Sequence, residues 1–397
     1  MSLDVTQIAA QIGEMALKMK DGSQERREHL QCAVDKLCDK GINLTVLKHK
    51  IAGARTPWAV AGVYEALNNH YPAPSIPQEY TVLATDGSNI DVDRHKAARC
   101  YLINIGSVNL HYGQNPAAEL ASVPHLYSDE ADLVIKNVNN KRREQQIEGA
   151  LLDNLRAVEE LAKLAAMAFE QPVDSGILAL LDGSLVMYGL ESFPDFVQSR
   201  LLDEGFLKSL DSLQKVSLRQ PLGLTSYISL PRSADVVNAL RVAICPQEAV
   251  DCDKSCSSGN SACDVISGLN DRLVFDDLLQ PGERSALFIN PSTILKHYGK
   301  HQVYFFYLKV DEEIARIEVP EWVALRSELL DLTHALILDQ CRKGQGYPVA
   351  LSEAHEKAVV SGADREEFWS LVDEALEGQK IPTYSSLKSR SKRTRWI

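Results

Sequence analysis

Two short apolar runs in this chain end in the same tripeptide. Val82-Leu83-Ala84-Thr85 leads into Asp86-Gly87-Ser88, and Ile177-Leu178-Ala179-Leu180-Leu181 leads into Asp182-Gly183-Ser184. A short apolar run closed by a turn signal predicts a buried strand. Each run therefore delivers a carboxylate to a strand end, where glycine lets the chain turn away. Elsewhere the period is helical. Ile8, Ile12, Met15 and Met19 predict a helix over 5–19, and 26–38 continues in kind. Pro72, Pro74 and Pro77 read as a linker. Residues 98–108 alternate and predict a second strand, and a long helix is expected over 137–169. Beyond it the pattern predicts helix 192–213, strand 222–229, helix 235–242, strand 303–310 and helices at 321–342, 350–361 and 364–377. This order predicts an α/β fold, a mixed sheet flanked by helices. The expected division is an N-terminal helical region 1–75, a main domain 76–380 and a tail 381–397. Within the main domain, 245–300 is rich in Cys, Gly and Ser and reads as an insertion.

A chain of 397 residues with 45% hydrophobic content can support more than one core. It has no uncharged apolar run of about eighteen residues, the length that spans a bilayer, and its start lacks a basic flank and apolar core. The expectation is a cytoplasmic protein without a membrane partner. The net charge of −12 excludes coating nucleic acid by bulk electrostatics. A carboxylate-rich metal site is compatible with it. The tail reverses the sign: Lys388, Arg390, Lys392, Arg393 and Arg395 stand there with Trp396 and no acidic residue. It reads as a phosphate-contacting arm or a docking peptide.

Asp86 and Asp182, on neighbouring strands, would make the open oxygen site that Mg²⁺ or Mn²⁺ prefers, suited to phosphodiester hydrolysis. A third copy, Asp21-Gly22-Ser23, follows no apolar run and reads as a helix break or N-cap. In the long helix Leu151, Leu155, Val158, Ala162, Ala165 and Phe169 form one stripe. Glu159 lies roughly 80–100° from its middle and Glu160 nearly opposite, so Glu159 is the expected helix ligand. Near the C-terminus Pro348 holds Tyr347 extended, and His355 falls one turn after Leu351 on the inner flank of the next helix. His355 suits a metal ligand or proton donor, and Tyr347 a contact to the scissile phosphate. Cys32, Cys38, Cys100 and Cys341 are scattered and read as buried thiols. Cys245, Cys252, Cys256 and Cys263 cluster, and in a cytoplasmic protein this points to Zn²⁺ or an iron–sulfur cluster, with a disulfide-linked loop as the alternative.

The order of segments resembles the NurA nuclease family over about 81–376. The features that carry the resemblance are Thr85-Asp86-Gly87-Ser88, Leu181-Asp182-Gly183-Ser184-Leu185, Tyr227-Ile228-Ser229-Leu230-Pro231-Arg232-Ser233, Arg316-Ile317-Glu318-Val319-Pro320 and Tyr347 to His355. The resemblance implies an RNase H-like core and Mn²⁺-dependent DNA cleavage, 5′→3′ exonucleolytic and endonucleolytic on single strands. It also implies a homodimer and partnership with a hexameric HerA-like ATPase in DNA end processing and repair. Its acidic residues map to Asp86, Glu159 (or Glu160) and Asp182, its Tyr and His to Tyr347 and His355. Where some members carry Lys, Arg232 is the residue here that can meet a phosphate. Two alternatives use the same fold: a phosphotransferase of the actin and sugar-kinase type, and a catalytically silent DNA- or ATPase-docking module. The chain has neither a Gly-Gly pair nor a Walker A sequence to support the first.

Overall fold

A computed structural model describes residues 4–381, apart from 94, 95, 97, 141, 174 and 257–260. The basic tail, with Lys388, Arg390, Lys392, Arg393, Arg395 and Trp396, lies outside the described residues. The chain forms two compact units. One comprises the chain up to Ala73 with Ile228–Thr293 and Gln302–Glu318; the other comprises Pro74–Tyr227, Ile294–His301 and the chain from Val319.

The second unit is built on strands β1 (Tyr80–Ile90), β2 (Tyr101–Tyr112), β3 (Ala117–Tyr127), β4 (Gly176–Asp182) and β5 (Leu222–Ile228). They lie in the order β5-β4-β1-β2-β3. The first three pair antiparallel as a meander, while β4 and β5 join parallel to β1. This is the mixed sheet flanked by helices expected of an RNase H-like core. Val82, Leu83 and Ala84 of β1 and Ile177 to Leu181 of β4 are buried on both faces, which is why these strands read as unbroken apolar runs. Helices α1 (Ala150–Glu170), α2 (Leu207–Ser217), α3 (Ser327–Lys343), α4 (Val349–Ala358) and α5 (Gly362–Gly378) surround the sheet. Of these, α1 and α4 pack directly on β1.

Three departures from the sequence reading have clear causes. First, β3 was not expected: Ala117 to Leu126 are all exposed, so no buried face imposes an alternation on the sequence. Second, the long helix begins at Ala150, because Val134–Lys136 and Glu144–Gln146 pair as a hairpin. The Asn137 side chain holds its turn by accepting from the amides of Asn139 and Asn140. Third, the strand at Glu313–Pro320 follows Val303–Val310 after a two-residue turn, with Asp311 at φ 49°.

The first unit carries helices Val5–Asp21, Ser23–Leu37, Leu44–Gly53, Asp235–Ile244 and Asp271–Leu278. Its core joins Leu37 and Leu47 to Val250, Ile266, Phe275, Phe288 and Phe305. Residues 245–300, which read as an insertion from their composition, supply Val250, Ile266, Phe275 and Phe288 to this core from short elements. Beneath this core runs a buried polar network. Arg316 pairs with Asp235 and Glu318, and Asp271 accepts from the amides of Val236 and Val237 and from the Tyr307 hydroxyl.

Candidate active site

The two Asp-Gly-Ser sequences do different work. After Asp182 the chain does turn, with Gly183 at φ 88° and its amide donating to the Tyr227 carbonyl. After Asp86 the strand runs on to Ile90, and Gly87 serves a close approach instead. A Cβ there would stand 2.5 Å from Glu160 Oε1 and 2.8 Å from Arg156 Cγ. Thr85, one residue before Asp86, donates its hydroxyl to the Glu160 carbonyl at 3.0 Å and pins α1 at that level. The parallel register sets Thr85 beside Leu181, so Asp86 and Asp182 stand at one level on neighbouring strands, where β4 ends.

Helix α4 is held by a second glycine contact. Gly106 of β2 stands opposite Asp86, and a Cβ on it would come within 2.2 Å of the Ala354 carbonyl oxygen and 2.6 Å of the Ala358 amide nitrogen. Ser88 and Asn104 satisfy the last carbonyls of α4 by donating to Ala358 at 2.6 and 2.9 Å. The seated helix brings His355 Nδ1 to 2.8 Å from Asp86 Oδ2. At the N-terminal side of α4, the Tyr347 hydroxyl hydrogen-bonds Asp182, and its ring meets Tyr227 edge-on at 5.4 Å.

The structure thus brings together Asp86, Asp182, Tyr347 and His355, with Glu160 as the helix carboxylate. Glu159 is not in this group. It points to Tyr127, which donates to Oε1 at 2.6 Å. The helical phase inferred from sequence was off because α1 packs on the sheet and also on α2 and the π-helical segment Ser199–Phe206. Its buried side therefore runs through Leu161, Leu164 and Ala168, while Ala162 and Phe169 are exposed. Arg156 reaches Glu160 at 3.1 Å across one helical turn and Asn89 at 3.0 Å. The i,i+4 spacing of Arg156 and Glu160 was the available signal. Arg232 is exposed and belongs to the other unit.

Electrostatics single out Glu160. Burial raises its carboxyl; Arg156 opposes this, while Asp86 and Asp182 add to it, and the result is a pKa of about 8. Asp182 is raised by desolvation first and by Asp86 second, with the Tyr347 hydrogen bond working against both. Burial and the carboxylate of Asp182 push the Tyr347 hydroxyl up. Each carboxyl is turned to a protein partner, and among the described residues no three Asp, Glu, His or Cys side chains converge as a ready metal cage. The donor chemistry nonetheless fits Mn²⁺ or Mg²⁺: three crowded carboxyls and one imidazole, without a thiolate. Their mutual repulsion is what a divalent cation would relieve.

The cysteines do not follow the sequence expectation. Among the described residues they form no disulfide, and Cys245, Cys252, Cys256 and Cys263 make no metal cage. Burial raises the Cys252 thiol, and the nearby Cys256, Cys263 and Cys245 add to the rise. Cys263 packs with Arg241, whose guanidinium lies 3.8 Å from its sulfur. Of the scattered four, Cys100 and Cys341 are buried, whereas Cys32 is half-buried and Cys38 exposed.

A two-sided α/β core with a carboxylate cluster at the end of β4 and beside it on β1 defines the class of protein. The NurA domain model matches residues 80–360, and the chain belongs to the NurA family. In three dimensions it is similar to the NurA nuclease from Sulfolobus solfataricus, with a TM-score of 0.50 and 14% sequence identity over 93% of this chain and 98% of that one. This likeness is one of fold. A crystal structure of NurA with manganese is more distant, at 8% identity and a TM-score of 0.34 over 89% of this chain and 98% of that one. Among curated proteins none matches the chain in sequence. No helix of the described residues is long and apolar enough to cross a membrane.

Proposed function

We propose that this protein is a metal-dependent DNA nuclease, with 5′→3′ exonuclease and single-strand endonuclease activity in DNA end processing and repair. The observation that carries this reading is the meeting of Asp86, Glu160 and Asp182 with His355 and Tyr347 in a chain of the NurA family. Asp86, Glu160 and Asp182 would hold Mn²⁺, or Mg²⁺ in its place. Bound there, the cation supplies an activated water and neutralises charge on the phosphate. Tyr347 orients Asp182 and presents its hydroxyl toward the position of a scissile phosphate. Arg156 supplies the guanidinium beside Glu160, a planar donor suited to a phosphate oxygen. His355, exposed and hydrogen-bonded to Asp86, is placed to give a proton to the leaving oxygen.

End-labelled DNA incubated with the purified protein and Mn²⁺ should be degraded, and chelation should stop it. Asp86→Ala and Asp182→Ala should abolish turnover without unfolding the protein. Cleavage at the wild-type rate by either variant would sink the assignment.

The protein acts as a cytoplasmic homodimer fed by a HerA-like hexameric ATPase. Two observations support the partnership. The net charge of −12 leaves little surface for gripping DNA by counterion release. Helix Val5–Asp21 exposes Ile12, Met15 and Met19 along one side, an apolar face suited to a protein partner. The isolated protein should be distributive and salt-sensitive, and a cognate ATPase should stimulate it in an ATP-dependent way. Because Leu37 and Leu47 belong to a core, deletion of 1–75 is a poor test; Ile12→Asp with Met15→Asp should abolish co-purification instead. Full processive digestion by the protein alone at physiological salt counts against the partnership.

A further inference from the structure

A second feature of α1 lies one residue from the carboxylate centre. Glu159 follows Arg156 by three positions and directly precedes Glu160, yet its side chain leaves the helix toward a cavity of about 790 Å³. Tyr101, Tyr127, Lys136, Phe196 and Arg200 also line this cavity. The rings of Tyr101 and Tyr127 stack at 4.7 Å with 17° between planes, which fixes the edge and hydroxyl of Tyr127. That hydroxyl donates to Glu159 Oε1 at 2.6 Å and so orients the carboxyl.

Size and charge narrow the occupant. The volume is that of a small-molecule site and is far too small for a duplex. Carboxylates outnumber cations in the lining, so a phosphate drawn inside would be repelled. The base is the neutral part of a nucleotide, and it carries the N–H donors that an acidic wall accepts. A carboxylate offers about four lone-pair directions, of which Tyr127 uses one. Guanine presents two adjacent donors, N1–H and the 2-amino group, to a single carboxylate. Thymine presents one N–H flanked by two carbonyl oxygens, which the carboxylate repels. Aromatic side chains supply the stacking surface that unpaired bases use, and exposed Lys136 can meet a flanking phosphate, while Arg200 is paired with Glu204 at 2.8 Å.

We propose that this cavity receives one unpaired base of the DNA strand being cut, guanine in preference to thymine, with Glu159 as the reading side chain. The inference rests on the nuclease reading, and its test separates the two. Random-sequence single-stranded oligonucleotides are digested by the full-length protein with Mn²⁺, and the product ends are sequenced. One fixed position near the cut should show guanine over thymine by about fivefold or more, the low end for a bidentate base contact. In Glu159→Gln that ratio should fall toward one. An unchanged ratio in the variant, or no biased position in the wild type, overturns the proposal while leaving the nuclease intact. Binding is read independently of cutting, with Ca²⁺ and oligonucleotides that differ by one guanine-to-thymine exchange. The wild type should favour the guanine strand by a similar factor and Glu159→Gln should not. If the protein cuts nothing, the nuclease reading fails and this binding ratio alone decides the cavity: equal wild-type affinities overturn it.

Discussion

At the scale of single residues, the site is three carboxyls held in unequal surroundings. Glu160 is the most buried of them and the one whose ionisation is most opposed, so it depends most on a cation for its charge. Glu160→Gln keeps the shape and removes that charge; nuclease turnover should fall about a hundredfold or more, as when a transition-state contact is lost, with the melting temperature little changed. Turnover within twofold of wild type would remove Glu160 from the site. His355→Ala should lower turnover by about 10²–10⁴, the range for a general acid, and a flattened pH–rate profile would mark the role as proton transfer. What was readable at this scale follows from context. Asp86 and Asp182 close apolar runs buried on both faces, and Pro348 and Leu351 fix where Tyr347 and His355 stand. Glu160 was not readable because α1 has apolar neighbours on more than one side, so its stripe is wide and its phase ambiguous.

At the scale of elements, glycine decides how closely the helices lie on the sheet. Gly106 faces backbone atoms of α4 at distances no Cβ can occupy, and those atoms cannot rotate away as a side chain would. Gly106→Ala should therefore lift α4, cost about 1–3 kcal/mol of stability as overpacking does, and separate His355 from Asp86. The check is denaturant unfolding beside a cleavage assay: both should fall, although no side chain of the site has changed. Stability and cleavage equal to wild type would show that α4 does not depend on this contact. Glycine within a strand was a legible signal of close approach. In sequence Gly87 reads as a turn because it shares its tripeptide with Gly183, which does turn. The elements that escaped sequence reading share one property. Neither β3 nor the hairpin before α1 presents a regular buried face to the core, so neither prints a periodicity.

At the scale of the whole molecule, charge is distributed differently in the two units. The second gathers its carboxylates around the end of one strand, with Asp182 exposed, whereas the first encloses Asp271 and Glu318. Asp271 is fully buried, and Tyr307, Asp235 and the amides of Val236 and Val237 face it, with Arg316 beside Tyr307. Burial dominates its hydrogen bonds and raises its pKa from 3.8 to about 7. An unfolded aspartate releases its proton near pH 4, so between there and pH 7 the folded state holds more protons than the unfolded. The contribution of this group to stability is then fully present below about pH 4 and is lost as the pH rises through 7. Most buried acids that are paired with a cation give the opposite slope, and this sign separates the two cases. Between pH 5 and 8 the melting of the unit that contains Phe275 and Tyr307 should shift downward. In Asp271→Asn, which cannot ionise, that shift should shrink, even though the variant is less stable at pH 5 through its altered bonds to Val236 and Val237. Thermal melts followed by tyrosine absorbance at both pH values decide it. A melting temperature that rises from pH 5 to 8 in the wild type, with the rise lost in Asp271→Asn, would mean that Asp271 is ionised in the fold and held by Tyr307 and the amides instead.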